Sequence, residues 1–395
     1  MSAPELADES EHTGLLRGEA AGRSPGEAVP LREHRPVQGL FVDAYHASKA
    51  TLRCSHANWL LGLVPLGMIA SSSGWNPAAV FILNFLAIFP LAALLSYSTE
   101  ELSASVGQTI GGLINATFGN AVEMIVGITA LRQGEIRIVQ SSMVGSVLSG
   151  TLLILGCCFF SAGYRQECRK DNLRFNVDVT GIMTSLMVVA SASLFIPSAL
   201  SSTTPTSEVN DYILVLSRIT SLILLLFYVV YLYFQLKSHV HLFKDCDESE
   251  SDDHALGPWA ASIVLILSTL GITFCSDAVV DSIDGVVEAC HVSRAFIGLI
   301  IVPIVGNAGE FVTTVNASMK DKLDLAIGIV VGSTLQIALF VTPFMVIMGW
   351  ILNQKMSLHF DTFETTVFTL AVVVVNCIVQ NGQTNYFEGF LLIGT

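Results

Sequence analysis

Apolar runs near the length of a bilayer recur along this chain, and they constrain its fold more than any other feature. They lie near residues 59–74, 76–98, 109–131, 138–162, 177–199, 211–235, 258–286, 293–318, 325–351 and 363–380. A helix rises about 1.5 Å per residue, so roughly 20 residues cross a hydrocarbon core of about 30 Å. The whole chain is 52% hydrophobic and 13% charged, against roughly 25% charged in soluble domains. The expected fold is an all-α polytopic membrane protein. An eleventh run starts near Tyr386 and stops with the chain at Thr395. As helix it covers about 15 Å, half of the core, so the eleventh helix is expected to be truncated.

Residues 1–57 mix Glu, Ser, Gly and Pro with few apolar residues in the first forty. A mobile tail is expected there, with no cleavable signal peptide, since no apolar run follows a charged start. Lys and Arg set the orientation. The tail holds Arg17, Arg23, Arg32, Arg35, Lys49 and Arg53. Arg165, Arg169, Lys170 and Arg174 follow the fourth run, and Lys237, Lys244, Lys320 and Lys322 follow the sixth and eighth. The opposite loops hold Arg132, Arg137, Arg294 and Lys355. This bias puts the tail in the cytosol. The net charge is −14, with a dense acidic run, KDCDESESDDH, at Lys244–His254. It reads either as a solvated linker or as a collector that raises cation concentration at a pore mouth. The expected organisation is a tail at 1–57, a first transmembrane half at 58–235, an acidic cytosolic linker at 236–257 and a second half at 258–395. The eight cysteines form no CxxC pair, and Cys157 and Cys158 sit inside an apolar run, so neither a disulfide framework nor a zinc site is expected.

Two segments repeat. A shift of 187 residues places Gly119, Asn120, Ala121 and Glu123 on Gly306, Asn307, Ala308 and Glu310. Without a gap, Ala130 then falls on Ala317, and Val144, Gly145, Ser146 and Leu148 fall on Val331, Gly332, Ser333 and Leu335. Upstream, Ile110 and Gly111 fall on Ile297 and Gly298. Five helices separate the copies, and an odd number makes them enter the membrane from opposite sides. The expected architecture is two inverted five-helix repeats plus an extra N-terminal helix, with a site near the midplane where the copies meet.

The motif chemistry fits such a site. Asn120, Glu123 and Gly127 share one helical face, as do Pro303, Asn307, Glu310 and Thr314. Gly before Asn loosens the helix, and Pro303 deprives the carbonyl of Leu299 of its usual partner. Freed carbonyls with Asn and Glu side chains are hard oxygen ligands suited to Ca²⁺. A lone carboxylate in the bilayer centre costs a few kcal/mol even on lenient scales, about 3 on insertion measurements. Two are tolerable when a cation or protons neutralise them; the bland alternative is a pair of protonated helix contacts. Glu100 and Glu101 end the second helix, and Asp277, Asp281 and Asp284 share a face of the seventh, with Glu288 after them. Glu100, Asp277 and Asp281 read as lining the approach to the site; Glu101 and Glu288 read as solvated helix ends.

The segments GNAVEMIVG, GNAGEF, STEEL, GSVLSG and GSTLQIALF resemble the cation/proton exchangers of the calcium/cation antiporter superfamily, and among these the fungal and plant vacuolar Ca²⁺/H⁺ exchangers most. The resemblance covers roughly residues 55–395. It implies eleven helices, an acidic stretch between the halves, and Ca²⁺ held by Glu123 and Glu310 with Asn120, Asn307 and the backbone around Gly119 and Gly306. Ser146, Ser333 and Gln336 in the matching segments join Glu100, Asp277 and Asp281 as candidates for the proton and ion pathway. Phe311 stands where the family usually has His, and Gly150 where it usually has Asn. The implied activity is secondary active exchange of cytosolic Ca²⁺ for lumenal H⁺, by alternating access at one two-glutamate site, loading Ca²⁺ into a vacuole or other acidic organelle. Exchange of another divalent cation such as Mn²⁺, or an inactive truncated form, are the alternatives. A channel lacks support because no filter-like loop is seen, and an intramembrane aspartyl protease because no GxGD occurs. A transporter rather than an enzyme is expected. Its partners are Ca²⁺ and H⁺ as substrates and the lipid bilayer, with no cofactor and no nucleic acid; oligomeric state is left open.

Overall fold

A computed structural model describes residues 56–166, 173–203, 209–240 and 257–395. The expected tail up to residue 55 and the acidic run of the linker lie outside the described residues. Helix α1 (Leu63–Ser72) follows a short 3₁₀ helix at His56–Gly62. The first repeat comprises α2 (Pro77–Ser105), α3 (Gln108–Phe118), α4 (Ala121–Arg132), α5 (Ile136–Tyr164), α6 (Val177–Thr203) and α7 (Val209–Tyr233). The second comprises α8 (Pro258–Asp281), α9 (Ile283–Cys290), α10 (Arg294–Gly306), α11 (Ala308–Met319), α12 (Leu323–Ile351), α13 (Thr362–Val379) and α14 (Tyr386–Gly394).

Local chemistry sets several starts. Asn76 accepts a hydrogen bond from the backbone of Ala78 (2.9 Å) just before Pro77, a residue preorganised for the first helical position. Asp361 and Glu364 form a reciprocal capping box at the start of α13. Asn385 accepts from the backbone of Glu388 to start α14. Where α14 runs beside α5, glycines let the backbones meet: a Cβ on Gly389 would run into the backbone of Phe160 and the carbonyl of Gly156.

Three boundaries depart from the sequence reading. The third and eighth runs are each broken at the motif: α3 and α4 meet at 43°, and α10 ends at Gly306 before α11 starts at Ala308. The seventh run ends at Asp281 rather than continuing to residue 286; α9 and α10 then meet at 117°. Among the described residues seven helices are long and apolar enough to cross a membrane, or nine when each bent pair counts as one span, so eleven full-length spans are not reached.

The two repeats occupy matching places. The most apolar window of α5 is 67% buried and that of the equivalent α12 is 72% buried, whereas α7 reaches 28%. Helices α5 and α12 therefore form the centre and α7 a wall. On α7, Val215, Ile219, Leu222, Leu226 and Val230 are exposed; a soluble protein would not carry such a face, and here it meets lipid. Helix α2 packs along its counterpart α8, with Gly271 against Leu91.

Contacts between helix ends sort the connections onto two faces. On one, β1 (Leu173–Arg174) pairs antiparallel with β2 (Gln383–Thr384), and the backbone of Asn176 donates to Asp324 at 2.6 Å. On the other, Arg294 bonds Glu135, Arg137 bonds Asp361 and Glu364, and Ser198 and Ser217 hold the backbone of Leu358 and Phe360. Arg294 begins α10, and Glu135 lies in the short turn that follows α4. The second copy therefore enters where the first leaves, which is the inversion that the odd spacing predicted.

Candidate cation site

The helix breaks place the two glutamates. At Asn120 the backbone leaves helical geometry (φ −107°, ψ 26°), and at Asn307 it does the same (φ −84°, ψ 2°). Each break starts a new helix, and Glu123 and Glu310 fall in its first turn. The unpaired backbone N–H groups of a helix start favour a negative charge there. Glu123 is 6% exposed, Asn120 1% and Asn307 3%, and Glu123 and Glu310 lie within electrostatic range of each other.

The motifs are held crosswise. Asn120 on the first copy donates to Gln336 Oε1 on α12 (2.7 Å). Asn307 on the second copy donates to the carbonyl of Ser146 on α5 (3.2 Å). Ser333 on α12 donates to Glu310 Oε2 (2.6 Å). Gly306 lies directly against the Glu123 carboxylate, so that a Cβ there would meet Glu123 Cδ at 2.8 Å. Each repeat thus supplies a break and the other repeat supplies part of its wall. Pro303 plays a different part from a ligand donor: the carbonyl of Leu299, whose usual i+4 donor it removes, packs against Gly145 on α5.

Two oxygens at the centre have no hydrogen-bond partner, Glu123 Oε2 and Asn120 Oδ1. A buried acceptor left alone costs about 1–3 kcal/mol. A hard cation or a proton would fill that deficit, and carboxylate and amide oxygens are of the donor type that Ca²⁺ takes. Among the described residues no cluster of three or more His, Cys, Asp and Glu could hold a metal ion.

Two equivalent cavities flank this centre, and they differ in size. The one at Glu123 is about 10 Å³ and is walled by Ser142 and Ser146 of α5 and by Val302 and Gly306 of α10. That volume is about the room of one water. Its counterpart at Glu310 is about 200 Å³, walled by Ile329 and Ser333 of α12 and by Asn115 and Gly119 of α3. Shifted by one repeat, these four wall residues of one cavity fall on the four of the other. The contacts at equivalent glycines follow the difference. At the small cavity a Cβ on Gly298 would sit 2.9 Å from Ser141 Cβ and 3.0 Å from the carbonyl of Ile138, and Gly145 meets Leu299 and Pro303. At the large cavity the equivalent Gly332 meets only Met183 Cε at 3.3 Å, and Gly111 meets Ser103 of the preceding helix. One pair of walls is zipped shut; the other stands apart. The large cavity reaches Tyr231, Gln235 and Leu325, toward the face that carries β1 and β2.

Of the residues expected at the site, Glu123, Glu310, Asn120, Asn307, Gly119, Gly306, Ser146, Ser333 and Gln336 all come together. Glu100 lines the large cavity and also a neighbouring apolar one of about 470 Å³ that reaches Asn307 and Phe311. Asp277 and Asp281 line neither glutamate cavity; Asp281 is exposed at the end of α8. Gly150, where a Cβ would meet Thr334 Oγ1 at 2.5 Å, has no room for the family's usual Asn without a shift. Sequence reasoning missed Ser142, Ser96, Thr313 and Gln235 as cavity walls. Ser142 lies one turn before Ser146, a signal the helical period offered, but its repeat partner is Ile329, which hid it.

Comparison with known proteins adds the following. A family described as sodium/calcium exchanger protein matches residues 76–237 and 260–395. The chain is 43% identical over 349 residues to a vacuolar calcium ion transporter of Schizosaccharomyces pombe, covering 88% of this chain and 84% of the relative. It is 39% identical over 409 residues to vacuolar cation/proton exchanger 2 of Arabidopsis thaliana, covering 98% and 91%. Among solved structures, native YfkE superposes with a TM-score of 0.72 at 35% identity, covering 85% of this chain and 95% of that one.

Proposed function

This chain belongs to the sodium/calcium exchanger protein family, and we propose that it is a secondary active antiporter exchanging cytosolic Ca²⁺ for lumenal H⁺ in the membrane of a vacuole or another acidic organelle. The family's members are transporters, not enzymes. The YfkE chain is named in a related structure as a Ca²⁺/H⁺ antiporter, and the fungal and plant relatives are named as vacuolar.

The observation that carries the reading is the pair of glutamates, Glu123 buried and Glu310 half-buried, one at each helix break of an inverted repeat, with unpartnered oxygens on Glu123 and Asn120 between them. Empty, the two carboxylates carry two negative charges that the core disfavours. One Ca²⁺ or two protons neutralise them equally, so either cargo permits crossing and the bare site does not. Competition for one site couples the two flows. The open Glu310 cavity then serves as the cytosolic approach, and the closed Glu123 cavity as the lumenal one. The energies suffice: two protons crossing a gradient of about two pH units supply about 5.4 kcal/mol, enough for a Ca²⁺ ratio on the order of 10⁴.

The test is Ca²⁺ uptake into acid-loaded proteoliposomes holding the full chain. Uptake that needs the pH gradient and stops with a protonophore is expected. Uptake that persists without the gradient would identify a channel.

A further inference from the structure

We propose that Arg294 is a positioning residue of the exchange cycle: by clasping Glu135 and Asp284 it holds the two walls of the closed Glu123 cavity together at their lumenal ends, and so sets how often the site faces the lumen. The proposal deepens the antiporter reading above and rests on it for its meaning in transport.

The geometry is specific. Arg294 Nη1 donates to both oxygens of Glu135 at 2.9 Å, and Nη2 donates to Asp284 Oδ1 at 2.6 Å. Glu135 is the residue immediately before α5, and two turns further on α5 presents Ser142 and Ser146 to the cavity. Arg294 is the first residue of α10, which presents Val302 and Gly306 from the opposite wall. The guanidinium therefore joins the two cavity walls at one end, where they emerge from the membrane. Between the clasp and the cavity, Gly298 and Gly145 let the same two helices touch backbone to side chain. Opening this side requires α5 and α10 to part, and they cannot part with the fork intact.

At the equivalent positions the opposite face does not repeat this arginine–glutamate pair. One repeat earlier, Arg294 falls on Gly107, which has no side chain, and Glu135 falls on Lys322. That is the face where the equivalent walls, α3 and α12, stand apart. The pseudosymmetry of the repeats makes this contrast informative: two cavities built from equivalent backbone differ in whether an arginine faces a glutamate at this position, and the one that has the pair is closed. All three side chains are partly exposed. Such pairs are individually weak, but a two-pronged Arg–carboxylate contact fixes geometry, and a contact present in one of two states shifts their ratio by its whole worth.

The experiment measures Ca²⁺ affinity from each side of vesicles of known orientation. Removing the clasp is expected to raise the lumen-facing fraction about fivefold, which is about 1 kcal/mol at 1.4 kcal/mol per tenfold. Apparent affinity scales with the competent fraction. Arg294→Ala should therefore lower the lumen-side KM for Ca²⁺ about fivefold while the cytosol-side KM, set by the prevailing state, scarcely moves. Glu135→Gln should do the same, and the double variant no more than either single one. Arg294→Lys, which keeps the charge and loses the fork, should fall between. Equal shifts on both sides, no shift, or additive effects would overturn the proposal. A readout independent of transport separates its failure from failure of the antiporter reading: amide hydrogen exchange over residues 133–142 and 294–302 should quicken in Arg294→Ala. Unchanged exchange there removes the clasp whatever the chain transports, and an absence of Ca²⁺/H⁺ exchange in the unmodified protein removes the antiporter reading alone.

Discussion

Asn120 and Gln336, 216 residues apart, are joined by a 2.7 Å hydrogen bond from Nδ2 to Oε1 across the interface of the two repeats. The bond orients the Asn120 amide and leaves its Oδ1 unpartnered at the centre. Gln336→Ala should release that amide. Leaving a buried group unpaired costs about 1–3 kcal/mol, so the KM for Ca²⁺ should rise at least fivefold. With Asn120→Ala the effects should be non-additive, as for any pair in contact. Additive losses in transport assays would show that the two act separately.

Glu123→Gln and Glu310→Gln preserve volume and remove one charge each. A site with one carboxylate cannot neutralise Ca²⁺, so each single variant should abolish exchange while remaining folded. The double variant should be no worse than either, because the two act as a unit. Full exchange by either single variant, with expression and thermal stability matched, would sink the shared site.

Gly306 lies against the Glu123 carboxylate. Gly306→Ala should push that carboxylate aside and weaken Ca²⁺ binding at least tenfold. Gly309→Ala, where the nearest atom is Ser96 Cβ at 3.9 Å, is the matched control and should leave affinity near that of the parent. Calorimetric titration of the purified protein with Ca²⁺ reads both.

Equivalent glycines should give different phenotypes. A side chain at Gly145 collides with Leu299 and Pro303 in the closed walls, whereas one at Gly332 meets only Met183. Gly145→Val should lower the melting temperature, since overpacking costs about 1–3 kcal/mol. Gly332→Val should melt like the parent yet slow turnover, because the walls at the Glu310 cavity could no longer close. Similar melting and similar turnover for the two variants would contradict the unequal cavities.

The ligand oxygens carry their own consequence. Glutamate and asparagine oxygens face the centre, and no thiol or imidazole lines either glutamate cavity. Ca²⁺ and Mn²⁺ should compete for transport, and Zn²⁺ should compete poorly, since soft or nitrogen ligands favour it. Transport of Zn²⁺ in preference to Ca²⁺ would show that the centre is misassigned.

The linear chain determined a good deal by itself. Run length fixes helices, because a bilayer leaves the backbone few ways to satisfy its own hydrogen bonds. The 187-residue shift marks Gly119–Glu123 and Gly306–Glu310 as one pattern used twice, and the odd number of intervening helices requires inversion. The Gly-Asn pairs signal a loosened helix, but the apolar runs at 109–131 and 293–318 read as unbroken, so the breaks themselves are not legible in the sequence. Only the tertiary structure decided which residues meet across the repeats. Asn120 reaches Gln336, whose own repeat partner is Ser149, so no symmetry in the sequence predicts that bond. Asp277 and Asp281 have the right period for a pore-lining face, yet α8 turns them away from both glutamate cavities, because the period gives a face and not its neighbour. The unequal cavities lie furthest from the sequence. Equivalent glycines cannot say which pair of walls is closed, since that depends on how the two repeats settle against each other, and a contact such as Arg294 with Glu135 exists only once they have done so.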